Sequence, residues 1–197
     1  MNEGNKNASN NNILENINSK YILNEIFDNL KINIKLKIIK YNKNIQNRLT
    51  IKLDDYKEYY KTELEIIPKK QIGKNIKQNY FINIQCMCLK AHCHIYFNDD
   101  KVGVIRTYLT NKDNVSKIKI ILDKEYDCFN KLFEGCNCIE KVNFIKCNRN
   151  DIEDLSYMFS YCKSLREINF SNFNAININN VNHMFDKCNF LIKVNIY

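Results

Sequence analysis

Apolar and polar positions follow three rhythms along this chain, and the last third carries the plainest one. Leu132-Phe133-x-x-Cys136-x-x-Ile139-x-x-Val142-Asn143-Phe144 returns as Met158-Phe159-x-x-Cys162-x-x-Leu165-x-x-Ile168-Asn169-Phe170. It returns again as Met184-Phe185-x-x-Cys188-x-x-Leu191-x-x-Val194-Asn195-Ile196. Each step is 26 residues, and Tyr126, Ile152 and Ile178, like Phe129, Leu155 and Val181, keep the same step. A fixed period of roughly 20 to 50 residues is the mark of stacked repeats. Within a unit, Leu155 to Met158 and Phe159 has helical spacing, and Ile168-Asn169-Phe170 alternates like a short strand. The predicted buried positions are Phe133, Cys136, Ile139, Phe159, Cys162, Leu165, Phe185, Cys188 and Leu191.

The first third has a different rhythm. Ser19 stands where a helix cap belongs, and Ile22, Ile26, Phe27 and Leu30 follow at helical spacing. Lys31 to Lys40 alternates locally, but Ile34, Ile38, Tyr41, Ile45 and Leu49 form one face at steps of three or four, which predicts a helix. Between these rhythms lies a third, of short alternating runs. Leu64 to Ile67 is a strand ended by Pro68, and Lys69 to Lys77 a basic loop. Residues 93–97 and 102–105, separated by Asn98-Asp99-Asp100-Lys101, read as a hairpin, and Val115 to Leu122 as a strand. Four segments result: a disordered Asn-rich tail over 1–18, a helical module over 19–63, a β connector over 64–110 and the repeats over 111–197.

Composition changes this picture little. The chain has 197 residues, 45% of them apolar, which is enough for a core. Its net charge of +8 is spread among Asn and Ile, without an aromatic-interleaved basic stripe, so no specific nucleic-acid partner is expected. The start, MNEGNKNASNNN, lacks the basic and apolar regions of a signal peptide. No apolar run approaches the roughly 18 residues that cross a membrane. The expectation is an intracellular, cytoplasmic chain with no membrane span. Its nine cysteines, an odd number, then read as reduced thiols rather than a disulfide framework.

Few residues carry chemistry. Cys86, Cys88, His92, Cys93 and His94 have the ligand types that zinc takes, but their spacing matches no common zinc module. They are weak metal candidates, and no cofactor is expected. The Cys136, Cys162 and Cys188 row reads better as small apolar fillers than as redox groups, because no cationic activator is near. His183, Asp54-Asp55 and Asp99-Asp100 read as solvated, and the four glycines form no phosphate loop. No enzymatic activity is expected.

The Met-Phe-x-x-Cys-x-x-Leu-x-x-[Ile/Val]-Asn unit resembles the BspA-like leucine-rich repeat of protist and bacterial proteins. The likeness covers about Val115 to Tyr197; the first copy departs from it, with Leu132 for Met and Cys147 where the second has Phe173. Lys20 to Phe27 and Ile38 to Gln46 are similar to a loosely F-box-like helical module, and His94-Ile-Tyr-Phe and Arg106-Thr-Tyr-Leu109 to a connecting hairpin. The resemblance implies an α+β chain: a small helical module, a β-hairpin connector and a short leucine-rich-repeat solenoid of 26-residue coils. It implies a non-enzymatic role in binding a protein partner, often at a cell surface. The strand positions Lys141, Asn143, Arg166, Glu167, Asn169, Lys193 and Asn195 would meet that partner. The alternatives are an intracellular ubiquitin-ligase adaptor docking through the helical module, and a zinc protein through the Cys86 to His94 cluster.

Overall fold

The computed structural model describes residues 13–30, 32–49, 57–58, 60–70, 78–84, 92–123, 129–149 and 152–196. They fall into two compact units, one within Met1–Tyr56 and one within Lys57–Tyr197.

The first unit is helical: α1 (Lys20–Asn29), α2 (Ile32–Lys40) and α3 (Lys43–Leu49). Ser19 caps α1 as its position predicts, its hydroxyl accepting from the Ile22 N–H at 3.4 Å. The long helix expected over 34–49 is two helices. Asn42 breaks it by capping α3, its side-chain oxygen accepting from the Ile45 N–H at 2.9 Å. The buried face shifts with the break. Leu36, Ile39, Ile45 and Leu49 are inside, whereas Tyr41 is 83% exposed. Part of the expected disordered tail is also ordered. Ile13–Asn16 forms a short 3-10 turn, held because Asn42 reaches the Glu15 carboxylate and Arg48 the Ile17 carbonyl.

The second unit is built on β1 (Thr62–Pro68), whose alternating Thr62, Leu64 and Ile66 are fully buried. β2 (Asn79–Tyr80) and β4 (Tyr108–Leu109) make a small antiparallel pair apart from it. The main sheet also holds β3 (Cys93–Phe97), β5 (Ile118–Leu122), β6 (Ile139–Lys146), β7 (Glu167–Asn169) and β8 (Lys193–Asn195). Its order is β3-β5-β1-β6-β7-β8. The first four are antiparallel neighbours, and β6, β7 and β8 run parallel.

This topology overturns the expected fold class. The chain is α+β, but no separate solenoid forms and no β connector stands apart from the repeats. One edge of β6 is taken by β1, which pairs on its other edge with β5, so the repeat strands are the parallel half of one mixed sheet. A single core follows, running from Leu64 and Ile66 through Phe133, Phe144 and Phe159 to Met184. The result is a sheet-dominated unit. The expected 93–105 hairpin is reduced to one bridge, Ile95 with Val104. Asn98 accounts for this: its side-chain oxygen accepts from the Ser116 N–H at 2.9 Å, and its own N–H donates to the Lys117 carbonyl at 2.7 Å, aligning β3 with β5 instead. The loop between them is pinned by Arg106, whose guanidinium binds both Asp113 oxygens at 2.6 and 2.5 Å and lies over the Phe97 ring. That pairing, with the Thr110 N–H and hydroxyl, holds the Asp113 carboxyl well below the usual carboxylate range.

The helical spacing at 155–159 and its counterparts forms turns, not helix. Lys131, Tyr157 and His183, and likewise Gly135, Tyr161 and Lys187, have positive φ between 55° and 72°. A residue in that region cannot continue a right-handed helix. Alternate N–H groups instead cross to the next copy: Phe129, Lys131, Phe133 and Gly135 donate to the carbonyls of Asp154, Ser156, Met158 and Ser160 at 2.8 to 3.1 Å. The αL side chains stack outside, with Lys131 over Tyr157 at 5.5 Å and Tyr157 against His183 at 4.8 Å.

Equivalent core residues also stack, Phe133 on Phe159 at 5.2 Å and Phe159 on Phe185 at 6.0 Å. Phe159 is wholly buried between two copies, whereas Phe185 packs with one side open. Replacing Phe159 by Ala is expected to cost about 3–5 kcal/mol, and Phe185→Ala about half as much, in urea unfolding. Equal losses would contradict the described packing.

Candidate functional site

Alternation gives the main sheet one face in the core and one outside. In register, the outer face carries the row Tyr96, Lys119, Glu65, Asn143, Asn169 and Asn195. Alongside it runs Ile67, Lys141, Glu167 and Lys193. Six of the seven strand positions predicted to bind therefore lie together. Glu167 sits between two cations, 2.8 Å from Lys141 and 3.3 Å from Lys193, and both ammonium groups hold its carboxyl below the ordinary value. Lys141 and Lys193 keep about half of their surface.

Arg166 lies elsewhere. It precedes β7, and its guanidinium approaches Glu140 at 3.9 Å and the Phe190 ring at 5.9 Å. A register shift between Ile67 and Pro68 leaves Glu140 opposite no β1 residue, so Glu140 and Lys141 both reach solvent. Glu140, Arg166, Phe190 and Lys69 line a shallow hollow of about 230 Å³.

The other end of the face was not legible as a site. Lys117 contacts Asp99 at 2.6 Å and Glu65 at 3.9 Å, and Lys119 contacts Glu63 at 3.1 Å. Glu65, Asp99, Lys117 and Lys119 border, with Tyr96, a hollow of about 330 Å³. Alternation in β1 and β5 marked the outward side chains, but only the strand order sets them beside the repeat rows.

The metal candidates divide. Cys86 and Cys88 lie outside the described residues. His92 Nδ1 and His94 Nε2 bind the two Asp123 oxygens at 2.9 and 2.8 Å. Cys93 packs against the core on the opposite face from His94, and burial, with the Asp123 charge, pushes its thiol up to about 12. No cluster of three or more His, Cys, Asp or Glu suited to a metal occurs among the described residues. No helix among them is long and apolar enough to cross a membrane.

The repeat cysteines are free thiols. Cys162, buried, donates to the Phe133 carbonyl and Cys188, half-buried, to the Phe159 carbonyl, both at 2.9 Å, so each S–H is satisfied by the preceding copy. Burial raises the thiols of Cys136, Cys162 and Cys188, and that of Cys138 to about 12. A buried Arg149, over the Tyr60 ring at 5.3 Å, escaped the sequence reading because nothing in Cys-Asn-Arg-Asn distinguishes it from a surface residue.

Native maleimide labelling at pH 8 is expected to leave Cys136, Cys138 and Cys162 at least about 100-fold slower than in guanidinium, since burial both shields these thiols and disfavours the reactive thiolate. Rapid native labelling of Cys162, read by peptide mass spectrometry, would contradict its burial. In comparisons with known proteins, no family model matches the chain, and neither does any curated protein or solved structure.

Proposed function

We propose that this chain is a non-enzymatic protein-interaction module that binds a partner protein through the outer face of its mixed sheet. The observation that carries the reading is the transverse row from Tyr96 to Asn195, half-exposed side chains arrayed over six strands. Its chemistry suits a protein surface: cations and carboxylates alternate and are mutually paired, while Asn143, Asn169 and Asn195 offer a line of amides that both donate and accept. Paired charges favour a partner of mixed charge over a polyanion. The resemblance of the repeats to BspA-like units supports the same class of role. A partner recovered with the native chain should be lost with the double variant Lys141→Gln, Asn143→Ser, which circular dichroism should show to be folded. Equal recovery by both proteins would reject the face.

A second reading rests on the helical unit, where Tyr21 and Ile22 on α1 and Tyr41 after α2 are 75%, 51% and 83% exposed. Large apolar side chains in solvent suit a docking helix face. In this reading the unit attaches a ubiquitin-ligase linker of the Skp type. Binding to such a linker, measured by calorimetry with the full chain, should fall at least about tenfold in Ile22→Asp. Absence of heat with the native chain would end it.

A further inference from the structure

The lysines on the strands of the main sheet, Lys119, Lys141, Lys146 and Lys193, each meet a carboxylate. The end of the sheet where β1 finishes and β6 begins is different. Lys69 and Lys163 form no ion pair among the described residues. Both border the hollow that also holds Ser164, Arg166, Glu140 and Phe190.

Backbone bonds hold these cations where they are. The Lys69 N–H donates to the Cys138 carbonyl at 2.8 Å, just beyond the last pair of β1 with β6. The Lys163 N–H donates to the Asn137 side-chain oxygen at 3.0 Å, one repeat step away. Arg166 is fixed on both sides. Its N–H donates to the Glu140 carbonyl at 2.8 Å, and its own carbonyl accepts from Ile192 and Lys193 at 3.0 and 3.1 Å. The guanidinium lies over the Phe190 ring at 5.9 Å, and the Glu140 carboxylate stands 3.9 Å from it, too far for a hydrogen bond. Ser164 adds a hydroxyl that can donate to an oxyanion. Strand pairing thus brings the donors together before any ligand arrives, which lowers the cost of binding.

Charge and size specify what fits. Three cations to one carboxylate leave a surplus of about two positive charges. A carboxylate brings one negative charge, whereas a phosphate monoester carries about −1.5 to −2 at pH 7 and three acceptor oxygens. An arginine flanked by lysines matches that group in charge and in donors. The hollow, at about 230 Å³, is smaller than the roughly 300 to 1,000 Å³ of sites that enclose a small molecule. It suits a group presented on a larger surface. A nucleic-acid backbone would need a cationic track beside it, and the adjoining Lys141, Glu167 and Lys193 alternate in sign instead.

We infer that this hollow binds a phosphorylated side chain of a partner protein, with Lys69, Lys163 and Arg166 as its phosphate contacts. The site lies at the end of the sheet and does not depend on the function assigned to its outer face.

The probes are inorganic phosphate and two blocked tripeptides, Ala-phosphoserine-Ala and Ala-Asp-Ala, titrated at constant ionic strength into the isotopically labelled full chain. In amide correlation spectra the phosphopeptide should move Lys163, Ser164 and Arg166 saturably, and should bind at least about fivefold more tightly than the aspartate peptide. The double variant Lys163→Gln, Arg166→Gln should weaken phosphopeptide binding at least about tenfold. Glu140→Gln should tighten it about threefold, because the opposing charge is gone. Circular dichroism establishes that each variant is folded; should the double variant fail to fold, Glu140→Gln decides alone. The inference is overturned if the phosphopeptide moves none of these amides, if the aspartate peptide binds as tightly, or if the variants bind as the native chain does. Binding of inorganic phosphate without the phosphopeptide would overturn it in favour of a free anion. An oligonucleotide that displaces the phosphopeptide at equal phosphate concentration would overturn it in favour of a nucleic acid.

Discussion

Everything in the second unit depends on β1 pairing along both of its edges. Leu64 faces Ile120 on one side and Phe144 on the other, so one strand joins the 118–122 segment to the first repeat. Without it, the repeat strands would end in an exposed edge on the β6 side, with Val142 and Phe144 lacking the neighbours that enclose them. The pairing also decides what the outer face is. Glu63 and Glu65 lie in β1, between the lysines of β5 and the Asn and Lys positions of the repeats, and they make a patterned surface out of two groups of residues far apart in the chain.

Legibility in the sequence divided along a physical line. Periodicity reports which way a side chain points, and it served well for that: Phe133, Cys136, Ile139, Phe159, Cys162 and Leu165 are all fully buried. Their third-copy equivalents Phe185, Cys188 and Leu191 are only partly covered, because burial in a stack needs a neighbour on each side. Periodicity does not report which strand lies alongside another. Nothing in Thr62 to Pro68 names β5 and β6 as partners, so the pattern shows the repeat strands without showing that they are half of a larger sheet.

Local polar chemistry accounts for the other differences. Asn42 and Asn98 sit in runs rich in Lys, Asn and Asp, where they resemble ordinary solvated residues. One caps a helix and splits it; the other ties a turn to Ser116 and redirects a strand. Asn does such work because its side chain imitates a peptide group and tolerates αL backbone, as Asn98 does at φ 54°. The face residues Lys141, Asn143, Glu167, Asn169, Lys193 and Asn195 were legible through alternation, whereas Tyr96, Lys119 and Glu65 needed the strand order to join them.

The turns at Lys131, Tyr157, Tyr161, His183 and Lys187 couple the copies to one another. Each non-glycine residue in αL conformation opposes its own local preference by about 1–3 kcal/mol, so the turn is imposed by the neighbouring copy. The second copy donates backbone N–H groups to the third and accepts from the first, so freeing one copy removes the constraint that holds the αL residues of the one packed on it.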